Sequence, residues 1–364
     1  MRNTLLFVTA SLGYGGAEKI LCFVAKSLSK QGYGVHIANI MSSDTRILQK
    51  LPETVKVHTA SSEKGRGIRR LDQLRKVKKI AKEIEADIII GFTYYPNIIA
   101  SIVAKQLGIK SIVSERGDPY RTIGKDFVAK LTLAIINSAD GGVFQTEGAM
   151  EFYSPKLWAK SKVIPNPIFF PAEGVPERMD AKVTKTVVSV GRLDNMQKRY
   201  DIMLQAFSIF SKSHPEYSLR IIGDGPDKEK IQLWCQDLGI EDRVRFLGKS
   251  NHAMQDIVND GMFLITSDFE GISNSLLEAM SLGLPCISTD HSPGGARLLI
   301  TDHENGLLAP SGNAEKLAIA MTEFAENPPL AKYCGERARA VIDRFSPEKI
   351  IAEWDSYILE LCNC

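Results

Sequence analysis

The 364-residue sequence is poor in cysteine, has no long apolar run and carries almost no net charge, and each shortage removes a class of protein. Its six cysteines, Cys22, Cys235, Cys286, Cys334, Cys362 and Cys364, stand far apart except for the terminal C-N-C. There is no CxxC and no histidine at metal-ligand spacing, so a disulfide scaffold and a zinc module are excluded. A reducing cytoplasm is the expected setting. No apolar run reaches the ~18 residues that a membrane-spanning helix needs. The start MRNTLLFVTASLGYGG has one arginine and a short apolar run that turns into a glycine-rich loop, which is the pattern of a first buried strand and not of a secretory signal. The formal charge of +2 is too near neutral to call for nucleic acid as a partner.

What is present is an ordinary globular composition, 44% apolar and 24% charged. At this length it fits two domains of roughly 170 residues with a cleft between them. Short apolar runs alternate with amphipathic stretches: LLFVT, AEKILCFVAKSLSKQG, VHIANI, DIIIGF, a helix from about Asn97 to Leu107, and SIVSE. The rhythm restarts at TVVSVG and continues through a helix at Tyr200 to Ser213, SLRIIGDG, a helix at Asp227 to Leu238, VRFLG, GMFLIT, a helix at Ser275 to Leu282, and PCIST. Continuous β-rich runs between helices predict parallel sheets covered on both faces, hence two doubly wound α/β domains.

The stretch VIPNPIFFPAEGVPERMDAK holds four of the sixteen prolines and reads as a hinge. The expected division is therefore residues 1–168, a linker at 169–185, and a second domain at 186–345. The tail SPEKIIAEWDSYILELCNC opens on a Ser-Pro helix signal and carries an apolar stripe of Ile350, Ile351, Trp354, Ile358 and Leu361. It needs a surface, and residues 346–364 are expected to return to the first domain.

Two segments of the second half carry candidate chemistry. In SVGRLDNMQKRYD a buried strand ends at Gly191, followed at once by Arg192 and, six positions later, Lys198. Ligands of open α/β sheets bind beyond the carboxyl ends of the strands, so two cations there suit a diphosphate. In ITSDFEGISNSLLEAMSLGLP a strand ends, a loop carries Glu270, and a helix begins near Ser273 with Glu278 inside it. Helix-start N–H groups favour phosphate or hydroxyl oxygens, and carboxylates accept hydrogen bonds from sugar hydroxyls. A solvated loop cation, or Ser273 or Asn274 serving only as an N-cap, would explain any one of these residues alone.

The pair of motifs G-R-x5-K (GRLDNMQK) and E-x7-E (EGISNSLLE) resembles the signature of glycosyltransferase family 4, retaining enzymes of the GT-B fold. GYGGAE, VIPNPI, IIGDGPDKEKI, VRFLG, TDHSPGGARLLI and NGLLAP look like family segments in the family's order. The resemblance implies two Rossmann-like domains facing a central cleft and a nucleotide-sugar donor. Arg192 and Lys198, beside Gly191, would bind its pyrophosphate. Glu278 would bind the ribose and Glu270 the transferred sugar, helped by backbone groups of Gly271, Ile272, Ser273, Asn274 and Ser275. Gly16 would approach the phosphate from the first domain, and Ser250 would edge the base. Arg192, Lys198 and Glu270 would carry catalysis. Family members use no metal at the phosphate, and here there is no D-x-D motif and the histidines are scattered, so no cofactor is expected.

The acceptor side is expected in the first domain, with Gly15, Asn97, Glu115 and Arg116 as candidates. Many relatives have histidine after the glutamate of SERGDPY, where this sequence has Arg116. Arg116 is open to contact with donor or acceptor, or to pairing with Glu115 and Asp118. Residues 64–82, KGRGIRRLDQLRKVKKIAK, hold nine Lys or Arg and one acid, Asp72. Leu71, Leu74, Val77, Ile80 and Ala81 would form the apolar face of this basic helix. Its charges predict docking on the anionic inner face of the cell membrane. The resemblance to bacterial surface-polysaccharide enzymes implies a glycan acceptor, of which a polyprenyl-diphosphate-linked glycan is one form, and a UDP-hexose or UDP-N-acetylhexosamine donor.

Other functions fit less well. A nicotinamide oxidoreductase would need GxGxxG, but in GYGGAE position 18 is Glu18, and the second strand ends at Asn39 and Ile40 without the ribose-binding acid. A nucleotide-sugar epimerase of the same fold, or a non-catalytic sugar-nucleotide-binding subunit, would share the donor residues.

Overall fold

The computed structural model describes residues 2–13, 16–41, 51–171 and 174–362. The chain forms two compact units, residues 1–167 together with 347–364, and residues 168–346.

The first unit is built on a seven-stranded sheet in the order β3-β2-β1-β4-β5-β6-β7, parallel at every pairing. Its strands are β1 (Thr4–Thr9), β2 (Gly34–Asn39), β3 (Val55–Thr59), β4 (Ile88–Phe92), β5 (Lys110–Glu115), β6 (Gly141–Phe144) and β7 (Ser161–Val163). The central strands carry apolar runs because both faces are covered, and all five residues of IIIGF in β4 are buried. Helix α1 (Gly16–Lys30) follows β1, α2 (Arg66–Glu83) leads into β4, and α3 (Tyr94–Leu107) links β4 to β5. α3 starts three residues before its expected position at Asn97. Pro96 lies in its first turn, where a backbone N–H has no intrahelical partner, so the proline does not delay the helix.

The C-terminal helix Pro347–Cys362 belongs to this unit and packs against α1. It buries Ile350, Trp354, Tyr357, Ile358 and Leu361, with Tyr357 in the place expected for Ile351. Asp355 accepts hydrogen bonds from Arg2 at 2.5 Å and from the Tyr33 hydroxyl at 2.7 Å, tying the two ends of the unit together.

The second unit has a six-stranded parallel sheet in the order β10-β9-β8-β11-β12-β13. The strands are β8 (Thr186–Val190), β9 (Ser218–Ile222), β10 (Val244–Gly248), β11 (Met262–Ile265), β12 (Cys286–Asp290) and β13 (Leu307–Pro310). One face is closed by the helices Tyr200–Ser213 and Ala314–Glu326, whose Phe207, Phe210, Leu317 and Met321 fill the core. The described residues of the expected linker, 169–171 and 174–185, do not behave as a free linker. Phe170 and Val175 pack on the second unit's core, and Arg178 Nη1 donates to the carbonyls of Val258 and Asp260, each at 2.7 Å.

Candidate active site

In the second sheet the strand order reverses between β8 and β11, which makes their carboxyl ends a topological switch point. The chain leaving β8 carries Arg192 and Lys198, and the chain leaving β11 carries Glu270 and then Glu278. The turn after β8 is cramped. A Cβ on Gly223, which has a φ of +148°, would lie 1.8 Å from the carbonyl oxygen of Gly191.

Lys198 ends a helical turn, Asn195–Lys198, and the next residue, Arg199, is left-handed at φ 51° and ψ 52°. Two carboxylates hold Arg199 there: Asp201 at 2.9 Å and Asp268 at 2.8 Å. The Thr266 hydroxyl donates to the carbonyls of Lys198 at 2.8 Å and Arg199 at 3.1 Å. With its backbone fixed, Lys198 places Nζ 2.7 Å and 2.8 Å from the two oxygens of Glu270. Both side chains are largely buried, with 14% and 16% of their surface exposed.

Glu270 also accepts from Ser267 Oγ at 3.1 Å, and its own N–H donates to the Ser292 carbonyl at 2.8 Å. Burial pushes its carboxyl up, but the charges of Lys198 and His291 together with the hydrogen bonds from Lys198 and Ser267 outweigh this and hold its pKa below the ordinary value. The result is an ionised carboxylate and an ammonium facing each other at a strand end.

Glu270 leads directly to the helix Asn274–Ser281, capped by Ser273, whose side chain accepts from Leu276 N at 3.4 Å. Gly271, Ile272 and Ser273 are buried, and the Ser273 and Ser275 hydroxyls are 3.2 Å apart. A Cβ on Gly295 would sit 1.7 Å from the Gly271 carbonyl oxygen, so this loop is seated tightly. Asn274 and Glu278 are half-buried on the same helix. Its first turn offers the positive end of the helix dipole.

Arg192 is exposed and makes no ion pair among the described residues. With Gly191, Gly223, Asp224, Lys249 and Ser250 it lines a cavity of about 600 Å³ beyond the ends of β8 to β10. Ser250 Oγ is hydrogen-bonded to Asp256 and accepts from His252 N at 2.9 Å. Another cavity, of about 510 Å³, touches Lys185 and Gly261, at the opposite ends of β8 and β11.

In the first unit, Gly16 is exposed at the start of α1, and Gly15 lies outside the described residues. Asn97 is fully buried and grips β5, with Oδ1 accepting from Ser114 N at 3.0 Å and Nδ2 donating to Ser114 O at 3.3 Å. Glu115 accepts from the N–H groups of Arg116 at 2.9 Å and Gly117 at 3.1 Å, and from the Tyr153 hydroxyl at 3.2 Å. Burial raises its pKa above the usual value.

The Arg116 guanidinium turns inward, between the rings of Phe92 and Trp354 at 5.0 and 5.3 Å, and donates to Ser114 Oγ and Ile164 O. Of the alternatives open for Arg116, side-chain pairing with Glu115 and Asp118 is therefore not the arrangement found. The Glu115 oxygens face backbone N–H groups and Tyr153, while Asp118 caps a short helix by accepting from Tyr120 N at 2.9 Å. Asn97 and Glu115 direct their polar atoms to groups of the same unit, as do Arg116 Nε and Nη1, while Arg116 Nη2 is buried without a hydrogen-bond partner among the described residues.

The sequence reading overlooked Arg199, Thr266, Ser267 and Asp268, which set the geometry of Lys198 and Glu270, and also His291. His291 is 1% exposed, its Nε2 has no hydrogen-bond partner among the described residues, and burial pushes its pKa below the usual value against the opposing charge of Glu270. Arg199 directly follows Lys198 and Asp268 lies two before Glu270, so adjacency to the motif residues was the available signal.

Two doubly wound parallel-sheet units, the second with a cation–carboxylate pair at its switch point, are the GT-B fold of glycosyltransferases. The model of the glycosyl transferases group 1 matches residues 178–341, and that of glycosyl transferase 4-like domains matches residues 7–139. The chain belongs to the family 4 type of glycosyltransferase. It is 27% identical over 367 residues to an uncharacterized glycosyltransferase of Haemophilus influenzae, covering 97% of this chain and 99% of that one. It is likewise 27% identical over 369 residues to the N-acetylgalactosamine-N,N'-diacetylbacillosaminyl-diphospho-undecaprenol 4-alpha-N-acetylgalactosaminyltransferase of Campylobacter jejuni, covering 96% and 97%. Among solved structures, Anabaena HepE in complex with UDP and glucose matches with a TM-score of 0.82 at 19% identity, covering 99% of this chain and 100% of that one.

Proposed function

We propose that the protein transfers a sugar with retention of configuration, without a metal, from a UDP-hexose or UDP-N-acetylhexosamine to a lipid-linked glycan of a bacterial surface polysaccharide. The observation that carries this reading is the Lys198–Glu270 pair, held at the switch point beside a helix start. On donor entry Lys198 exchanges Glu270 for pyrophosphate oxygens. Arg192, exposed and without an ion pair among the described residues, adds a second cation. Glu270, freed on one side, accepts from the transferred sugar's hydroxyls, and Glu278 from the ribose. The backbone of Gly271 to Ser275 faces the phosphate, and the cavity at Ser250 receives the base.

As the bond between the anomeric carbon and the phosphate oxygen breaks, charge grows on the leaving diphosphate, where Lys198 and Arg192 stabilise it. The acceptor oxygen bonds to the same face of the sugar, and its proton passes to the leaving phosphate. Losing one such preorganised donor costs about 2.7 to 4 kcal/mol of barrier reduction.

The lipid-linked acceptor is supported by the name of the Campylobacter relative, which acts on a diphospho-undecaprenol substrate, and UDP by its presence in HepE. The basic helix α2 would hold the enzyme at the cytoplasmic face of the membrane. The test is product analysis by NMR after a screen of nucleotide sugars with a polyprenyl-diphosphate glycan, with and without a chelator. An α-linked donor should give an α-linked product at undiminished rate in chelator. An inverted product, or turnover abolished by the chelator, overturns the mechanism.

A further inference from the structure

α2 does not sit as its composition suggests. Val77, Ile80 and Ala81 are buried as expected, but Leu71 is exposed, and Gln73 takes its place inward. Gln73 donates through Nε2 to the Ile40 carbonyl at 2.5 Å and accepts from the Tyr95 hydroxyl at 2.8 Å. Ile68, 62% exposed, and Leu71 therefore project outward, on the helix that also carries Arg75, Lys78, Lys79 and Lys82.

A second apolar projection lies on the other side of α3. In the helix Phe127–Ile136 the inward residues are Ala129 and Ile136, while Phe127 (80% exposed), Val128 and Leu131 face out. Lys125, Lys130 and Arg121 are exposed around them, and the nearby acid, Asp126, is engaged as N-cap to Ala129 N at 2.7 Å. The two helices flank α3 within the same unit. Tyr94 hydrogen-bonds Thr132 of the apolar helix at 2.6 Å, and Tyr95, beneath Arg70, bonds Gln73 of α2. Two outward apolar clusters, each ringed by cations, are thus fixed to the start of one central helix.

We propose that these two clusters form a single membrane seat, in which Phe127, Val128 and Leu131, with Ile68 and Leu71, enter the interface of an anionic bilayer while the lysines and arginines meet its headgroups. The charge pattern selects this occupant: a protein-binding apolar face would not need cations at both margins, whereas an anionic bilayer offers apolar depth and negative surface together. This deepens the membrane part of the function proposed above, but it rests on the first unit alone and not on the transfer reaction. Charge alone would give binding that salt abolishes; the apolar side chains give a component that salt leaves in place.

The test is co-sedimentation of the full chain with vesicles of phosphatidylglycerol and phosphatidylethanolamine, or of phosphatidylcholine, at low and high salt. Phe127→Ser/Leu131→Ser should lower partitioning onto anionic vesicles about tenfold or more, including the salt-resistant part. Substituting Arg75, Lys78, Lys79 and Lys82 by Gln should remove mainly the salt-sensitive part, and Leu233→Ser, an exposed leucine of the second unit, should change nothing. Phe127→Trp should show a blue-shifted emission on vesicle addition, which reads insertion independently of any folding defect in the serine variant. Wild-type binding by the serine variant, or no emission shift, overturns the seat. If the charge variant alone loses binding, α2 docking stands and the apolar seat falls. If light scattering finds a dimer that the serine variant abolishes, the occupant is a second copy and the proposal is wrong.

Discussion

Lys198 Nζ lies 2.7 Å from one carboxylate oxygen of Glu270 and 2.8 Å from the other, and Ser267 Oγ completes the shell at 3.1 Å. In a largely buried pair this geometry ties function to stability, because removing one partner leaves the other charge without compensation.

Lys198→Ala should therefore do two things. It should lower turnover by about two to three orders of magnitude. It should also destabilise the second unit by about 3 kcal/mol or more by stranding the Glu270 carboxylate. The double variant Lys198→Met/Glu270→Leu should recover much of the stability and none of the activity. Urea unfolding beside initial rates checks this, and a double variant as unstable as the single would show that the pair is not what the fold depends on.

Arg192 gives the opposite expectation. It is exposed and makes no ion pair among the described residues, so Arg192→Ala should leave stability within about 0.5 kcal/mol of wild type. Turnover should still fall by about two to three orders of magnitude. A melting curve and a rate measured on one preparation decide it, and near-normal turnover would remove Arg192 from the mechanism.

Gly223 governs where Arg192 stands. A methyl group there would meet the Gly191 carbonyl oxygen at 1.8 Å, at a φ of +148° that side chains rarely adopt. Gly223→Ala should shift the Gly191–Arg192 turn, lowering both melting temperature and affinity for UDP. Gly65→Ala, where a Cβ meets nothing within 4 Å, should leave UDP affinity unchanged. Calorimetric titration with UDP separates the two variants, and equal affinities would show that the turn tolerates the shift.

These expectations indicate which features a sequence can disclose. The central strands of both sheets were legible because burial on two faces leaves nearly unbroken apolar runs, as in IIIGF and MFLI. β3 and β7 were not, being edge strands with Lys, His or Ser among their residues, and neither were β6 and β13, whose four residues include Gly-Gly or Pro and form no such run. Leu71 was misplaced because apolarity alone does not say which way a helix turns. The side chain of Gln73, with partners on both Ile40 and Tyr95, won the inward position. Lys198 and Glu270 were visible as motif residues, but their pairing was not. It depends on a left-handed Arg199 held by Asp268, a contact across 69 residues of sequence. The role of Arg116 stayed open between ligand contact and pairing because its aromatic neighbour, Trp354, comes from the far end of the chain.

The pH dependence that His291 gives to stability takes its sign from burial. Desolvation lowers its pKa from the ordinary 6.5, against the opposing pull of Glu270, so the folded state holds the neutral ring. As pH falls below about 6.5 the unfolded chain binds a proton that the folded chain resists, so stability declines until the folded-state value is passed. Glu270 behaves differently. Its lowered pKa keeps its contribution intact until the pH falls into the carboxylate range, so the decline just below 6.5 does not come from it.

His36 and His58 of the first unit are also shifted down by burial, so the wild-type slope is a sum. The difference between wild type and His291→Gln isolates one member of it. Glutamine stays neutral, so the variant should lose less stability on acidification, and its deficit relative to wild type should shrink as pH falls from 7 to 5. Each tenfold loss of proton affinity on folding corresponds to about 1.4 kcal/mol of that change. Parallel curves across this range would mean that the His291 ring takes up its proton as readily in the folded chain as in the unfolded one, and would remove burial as a source of the pH dependence.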